Sequence, residues 1–289
     1  MGSVRKRIEQ LDHGRQKTAA TTTLYHSLSS TISRRRFQDL VEEERDHRFD
    51  HMKRIQWLVP GTVWSLDTTE YGIQKTKITP LRDLASKYQL PIPLVQAQEN
   101  GQKIADYLDL MFRRYDCPIF LKRDLGSPLN CVAVDQVLEH HGVLPLNSPP
   151  GYPRYNGSME RSMEDLKAAL DERRLSQLTH ELPLAVEMEL VTHQLNHRRL
   201  RSLGNQTPCL LFHGPARRTF HGATRQKISR EIFDLFWQHL ETMPERSPHQ
   251  TRAAWRLIVE AWLRRQGWIS VSDKQQPVST HSNPFYSQN

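Results

Sequence analysis

Asp67, Asp124 and Glu160 are the side chains best placed, by type and context, to do chemistry together. Asp67 lies near the end of the apolar run Gly61-Thr-Val-Trp-Ser-Leu-Asp67, and Asp124 closes Pro118-Ile-Phe-Leu-Lys-Arg-Asp124. Glu160 opens a helical stretch after the turn-rich segment Ser148 to Gly157, with 35 residues between it and Asp124. Three carboxylates brought to one place form a hard, all-oxygen donor set suited to Mg²⁺, with Mn²⁺ able to substitute. Such a set can hold two ions about 3.5–4 Å apart, one on the attacking and one on the leaving oxygen of a phosphodiester.

The elements that must position these acids follow an alternating pattern. A strand carries Asp67, and residues around 73–84 and 91–97 supply two more. A helix is expected from about Gln102 to Tyr115, where Ile104, Leu108, Met111, Phe112 and Tyr115 form one stripe. A strand over 118–123, a helix near 131–141 and an edge-like strand Val143–Leu146 come next. The last helix of this unit, about 158–175, has Met159, Met163, Leu166 and Leu170 at helical spacing. Three antiparallel strands followed by helix-separated parallel ones fit an RNase H-like α/β layer with a mixed five-stranded sheet, or any other α/β domain with aspartates at its strand ends; the pattern alone does not separate them. Open α/β sheets work at the C-terminal ends of their strands, where both aspartates fall.

Trp64-x-x-Asp67, Asp124-x-Gly126-Ser127 and Tyr155-Asn-Gly-x-x-Glu160-Arg161, with Lys167 beyond, resemble the integrase-core transposases. These are the DDE recombinases of bacterial insertion sequences, related to retroviral integrases. The segment Leu195-Asn-His-Arg-Arg-Leu-Arg-Ser-Leu-Gly-Asn-Gln-Thr-Pro208 is similar to the one that closes the core in that family, and the resemblance covers about residues 57–213. It implies metal-dependent DNA 3′-end cleavage and strand transfer, with Asp67, Asp124 and Glu160 as the catalytic metal ligands and no covalent enzyme–DNA intermediate. It also implies that Lys167, two helical turns past Glu160, approaches the DNA end; a solvated helix lysine is the plain alternative. An acid at the position of Asp83 is found in similar proteins without being a ligand. Joining two DNA ends in concert implies at least a dimer on DNA. One departure counts against activity, because the family usually has Asn directly after the second Asp and this chain has Leu125. Two other readings stay open: a weakened or inactive DNA-binding protein of transposase descent, and an RNase H-like nuclease that cuts without joining.

The 289-residue chain carries a net charge of +8. Its sequence pI is about 9.5 and its mean hydropathy −0.66. A basic balance favours a polyanionic partner such as DNA, although many basic proteins bind none. Arg123, Arg154 and Arg161 flank the carboxylates and would offset their repulsion of phosphates, unless they are ordinary surface charges. No apolar stretch approaches a membrane span and no secretory signal is visible, so cytoplasmic residence, in association with bacterial DNA, is expected. The three cysteines are isolated, and none precedes position 117, so the His/Cys zinc module of retroviral integrases is absent. Nucleotide-hydrolase, zinc-protease and α/β-hydrolase motifs are likewise missing.

Residues 1–47 read as a helix-turn-helix-like module. Ser29, Ser30 and Thr31 offer caps for a helix from Ile32 to about Arg48. Arg34, Arg35 and Arg36 lie in its first turn, where a recognition helix meets DNA; a solvated charged helix is the alternative. Residues 48–57 read as a linker and 58–213 as the catalytic core. Residues 214–272 read as a helical region, with one apolar stripe from Ile228 to Leu240 and another from Trp255 to Leu263. The polar remainder, 273–289, reads as a disordered tail.

Overall fold

Two apolar runs, Val63–Leu66 and Phe120–Arg123, pair side by side as parallel strands at the centre of the main sheet. The computed structural model describes residues 25–26, 32–41, 53–124, 126–148, 157–176, 182–243 and 246–273. Its strands are β1 (Lys53–Trp57), β2 (Val63–Leu66), β3 (Thr69–Tyr71), β4 (Thr76–Thr79), β5 (Leu81–Asp83), β6 (Leu94–Gln96), β7 (Phe120–Arg123), β8 (Leu144–Asn147) and β9 (Ile269–Asp273). Helix α1 covers 34–41. The other helices are α2 (Gly101–Tyr115), α3 (Val132–His140), α4 (Gly157–Ser176), α5 (Leu184–His197), α6 (Pro208–His213), α7 (Gly222–Glu241) and α8 (Pro248–Arg265).

The main sheet has the order β5-β2-β7-β8, antiparallel at its first pair and parallel at the other two. A second sheet, β3-β4-β6, is antiparallel throughout. The five strands expected from sequence are therefore seven, because the first and second are each broken once. The break has a cause. Leu66 pairs with Leu81 and Thr69 with Ile78, so the register continues unchanged and sets Asp67 opposite Pro80. Proline has no N–H to donate, and the ladder lapses there. Thr68 and Thr79 span the gap through their hydroxyls, 3.0 Å apart.

Each face of the main sheet has its own cover. Trp64, Leu66, Leu81 and Leu121 pack against Ile104, Leu108, Met111 and Phe112 of α2, with Val134 and Leu138 of α3 and Phe212 of α6. On the opposite face Val63, Phe120, Leu144 and Leu146 meet Ile228 and Ile232 of α7 and Val259, Trp262 and Leu263 of α8. Alternation along β2 and β7 sorts these residues to the two faces. The C-terminal aromatic stripe is thus core, and it shares that core with the sheet holding Asp67 and Asp124.

Helix boundaries follow local chemistry. The Asn100 side chain caps α2 by accepting from the Lys103 N–H at 3.1 Å. Ser247 and Gln250 form a reciprocal capping box ahead of α8, with Pro248 at the first helical position. Two stretches differ from expectation. Residues 53–57, read as linker, form β1, and 269–273, read as part of a helical region and tail, form β9; the two pair antiparallel along five residues. Ile55, Trp57 and Val271 pack on the α7–α8 side of the core, which gives this ribbon an apolar face to bury. At the N-terminus the helix begins at Arg34, two residues later than read. Ile32 joins Phe37, Leu40 and Val41 in a small cluster, and Ser33 is the cap, accepting from the Arg36 N–H at 3.3 Å. Apart from Tyr25 and His26, the rest of the 1–47 module lies outside the described residues, as do Leu125, Arg154 and residues 274–289.

Candidate functional site

Parallel pairing of β2 with β7 sets Leu66 beside Arg123, so the next residue on each strand, Asp67 and Asp124, stands beside the other. Both occupy the C-terminal ends of adjacent parallel strands. Glu160 comes from a different element, the first turn of α4. Asp67 is half-buried, whereas Asp124 and Glu160 are exposed.

The electrostatics tie the three together. Burial pushes the Asp67 carboxyl up to about 6, and the charges of Asp124 and Glu160 add to that shift. The Thr68 backbone N–H, 2.8 Å from Asp67 Oδ1, opposes it. Among the described residues, no three His, Cys, Asp or Glu side chains stand close enough together to chelate an ion. The carboxylates sense one another without meeting. The donor set still fits a hard divalent cation: it is all carboxylate oxygen, and its mutual repulsion is what such a cation would relieve.

Lys122 is the residue that sequence reasoning missed. It is buried on β7, with 2% of its surface exposed, and its Nζ donates to Ser148 Oγ at 3.4 Å. Burial brings its ammonium down to about 8 against the opposing pull of Asp67, Asp124, Glu160 and Glu260. Lys122 therefore lies within the electrostatic reach of all three acids. Its signal was present: a lysine inside an apolar strand, two positions before an aspartate, shares that aspartate's side of the strand.

Arg82 is a second. It is buried on β5, in the row of the sheet that runs through Ser65 to Lys122. Its Nη1 donates to the Ser158 carbonyl at 2.8 Å and its Nε to the Lys87 carbonyl at 3.1 Å. Ser158 lies two residues before Glu160, so Arg82 holds the start of the helix that carries the third acid. Gln89 strengthens the tether, donating from Nε2 to Ser162 Oγ at 2.7 Å.

The remaining expected residues separate. Asp83 is fully buried and accepts from the Gly61 N–H at 2.7 Å and from the Ser86 N–H and hydroxyl at 2.7 and 2.6 Å. It fastens loops, as a non-ligand acid should. Lys167 is half-buried on α4, near enough to Glu70 to help hold that carboxyl low after the nearer Lys77. Arg161 is exposed and pairs loosely with Glu164 at 3.7 Å. Arg34, Arg35 and Arg36 are exposed at the start of α1.

Arg123 is a correction. It was expected at a DNA surface, but strand alternation turns it to the α2–α3 side, where 4% of it is exposed. Its Nε donates to Asn147 Oδ1 at 3.0 Å, Nη1 to the Leu129 carbonyl at 2.8 Å and Nη2 to Asp135 Oδ1 at 2.5 Å. Arg123→Met should lower stability by about 2–4 kcal/mol, because it leaves these acceptors without a charged donor. The urea midpoint would register this, with DNA affinity unchanged at fixed salt. Unchanged stability with a shallower salt dependence of binding would return Arg123 to the DNA surface.

Known proteins resemble this chain in structure alone. No protein-family profile and no curated protein matches it. A solved structure of the simian T-cell lymphotropic virus intasome, in complex with PP2A regulatory subunit B56 gamma, contains a similar chain. Identity is 16% and the TM-score 0.51, over 58% of this chain and 59% of that one. The present chain thus spans under two thirds of that relative's length. The catalytic core domain of BIV integrase matches with 22% identity and a TM-score of 0.44, over 53% of this chain and 93% of that one. The HTLV-2 integrase catalytic core domain, solved in complex with magnesium, matches with 17% identity and a TM-score of 0.46, over 55% and 100%. The intasome likeness shows the fold, an integrase-like core of mixed α/β architecture. No helix among the described residues is long and apolar enough to cross a membrane.

Proposed function

We propose that this chain is a DDE transposase of the bacterial insertion-sequence type, which cleaves DNA 3′ ends and joins them to target DNA. The observation that supports the reading is that Asp67 and Asp124 follow adjacent parallel strands of an integrase-like sheet, near enough to Glu160 and Lys122 for their charges to act on the Asp67 carboxyl. Mg²⁺, or Mn²⁺ in its place, held by the three carboxylates would supply charge neutralisation at the attacked phosphate. The protein's own part is to aim the acids: β2 and β7 fix two of them by register, and Arg82 fixes the helix of the third. Water cuts the strand to leave a 3′-hydroxyl, and that hydroxyl attacks a target phosphodiester in a second in-line transfer. Lys167 and Arg161 lie on the same helix as Glu160 and would meet the DNA backbone, as would Arg154. Two ends joined in concert require at least two copies on the DNA.

The test uses the full chain and labelled duplexes taken from the DNA flanking its reading frame. Cleaved 3′ ends and joined products in Mg²⁺, absent with EDTA, are expected. Cleavage without joining would reassign the chain as a nuclease.

Sequence preference should reside in α1. Replacing Arg34, Arg35 and Arg36 together by Ala should erase the preference for one duplex sequence and lower the salt slope of binding by about 2–3. Competition binding against random DNA measures both. An unchanged preference would move recognition to another element.

A further inference from the structure

A cavity of about 270 Å³ opens between the edge strand β8 and helices α7 and α8. Its walls are mainly apolar: Pro145 from the strand, Phe233 and Phe236 from α7, and Trp255 from α8. Trp255 is held in place, its Nε1–H donating to the Pro145 carbonyl at 2.7 Å. Phe236 meets its ring edge to face at 5.2 Å, and Phe233 lies tilted against it at 5.1 Å. Phe233 remains 41% exposed. These are fixed ring faces with one side open, a surface suited to a planar heterocycle.

Two features set the chemistry of the occupant. Arg252 and Arg256, one helical turn apart on α8, also line the cavity. Arg252 Nε donates to the Pro248 carbonyl at 3.2 Å and Arg256 Nε lies 4.0 Å from the Glu260 carboxylate, so the pair keeps a net positive charge that favours an anion beside the ring. The cavity is also linked to the carboxylate site through one hydrogen bond. Ser148 lines it, and the hydroxyl of Ser148 accepts from Lys122, whose charge acts on Asp67, Asp124 and Glu160. A planar ring joined to a phosphate, beside a phosphodiester-cleaving centre, is a nucleotide. At 270 Å³ the space lies just below the range of roughly 300–1,000 Å³ usual for drug-sized ligands, which suits one ring system better than a longer ligand.

We propose that this cavity is a nucleotide-binding pocket, taking one unstacked base of the DNA strand against Phe233 and Trp255 with its phosphate on Arg252 and Arg256. The inference rests on the DNA-processing reading and extends it. The C-terminal helices, besides covering the sheet, hold a strand segment next to the scissile bond. Stacking of this kind is tolerant of sequence, because every base has a π-face.

The experiment measures binding of labelled single strands to the full chain in EDTA, so that it does not depend on cleavage. One strand carries thymine bases, and the other has the same sugar-phosphate chain without bases. Wild type should prefer the base-bearing strand. Phe233→Ala should weaken that strand's binding by roughly five- to a hundredfold and leave the base-free strand unchanged. Phe233→Leu keeps the apolar contact but not the ring face, and it should lose the same preference while its melting temperature shows that it folds. Arg252→Ala should weaken both strands alike. Equal binding of the two strands by wild type would overturn the pocket, as would a preference that survives both Phe233 variants. So would a concentration-dependent dimer that either Phe233 variant abolishes, since it would give the cavity to a second copy. Loss of metal-dependent cleavage with the base preference intact would instead count against the transposase reading alone.

Discussion

Asp67→Asn, Asp124→Asn and Glu160→Gln should each reduce Mg²⁺-dependent cleavage and joining at least a thousandfold, about 4 kcal/mol of transition-state stabilisation. DNA affinity should stay close to wild type, because the basic surface and not the carboxylates holds the duplex. A labelled-end cleavage assay beside a binding titration separates the two effects, and wild-type strand transfer by any of the three would end the assignment. Asp67→Asn carries a second expectation that needs no catalysis. The Asp67 carboxyl is shifted up to about 6, so between the ordinary carboxylate range and pH 6 the folded chain holds a proton that the unfolded chain has lost. Wild-type stability from this group is therefore fully present at low pH and falls as pH rises towards 6. Asparagine does not titrate. In EDTA the variant should gain on wild type across that window and, above pH 6, be more stable by on the order of 1–2 kcal/mol. Added Mg²⁺ should narrow the gap by stabilising wild type alone. A pH-independent difference in melting temperature would contradict the buried, repelled carboxylate.

The elements that carry the acids were legible because Asp67 and Asp124 each close an apolar run and Glu160 opens a strongly periodic helix. Apolar runs that stop at Asp67 and Asp124 predict strand ends, and the parallel register then makes them neighbours. The stripe Met159, Met163, Leu166 and Leu170 is buried as its spacing requires, which orients the helix carrying Glu160. Cations within strands were harder to read. Arg123 and Lys122 are adjacent, yet alternation sends one to the α2–α3 side and the other towards the carboxylates, and the sequence alone does not say which face holds the site. Arg82 was hidden for a related reason, since its partner is a backbone carbonyl 76 residues away. The β1–β9 pair joins residues more than 200 positions apart, and no local pattern announces such a contact. The lapse at Pro80 was predictable in kind, but its consequence, a gap opposite Asp67, needed the register.

Leu125→Asn should raise strand transfer by on the order of a hundred- to a thousandfold, with little change in DNA affinity. Past β7, Asn130 Nδ2 donates to the Asp124 carbonyl at 2.5 Å and to the Gly126 carbonyl at 3.1 Å. The main chain on either side of position 125 is thereby held by Asn130. A side-chain amide beside a metal-binding aspartate can hydrogen-bond water or DNA; leucine offers neither a donor nor an acceptor. The substitution therefore offers an orienting contact beside the second acid. Joining of a labelled end into plasmid, by both proteins in Mg²⁺ and in Mn²⁺, measures the gain. Robust joining by wild type with no gain from asparagine would mean that the leucine costs nothing. If neither protein joins while both still bind metal and DNA, the chain is a DNA-binding descendant of a transposase, and its carboxylates have outlasted their chemistry.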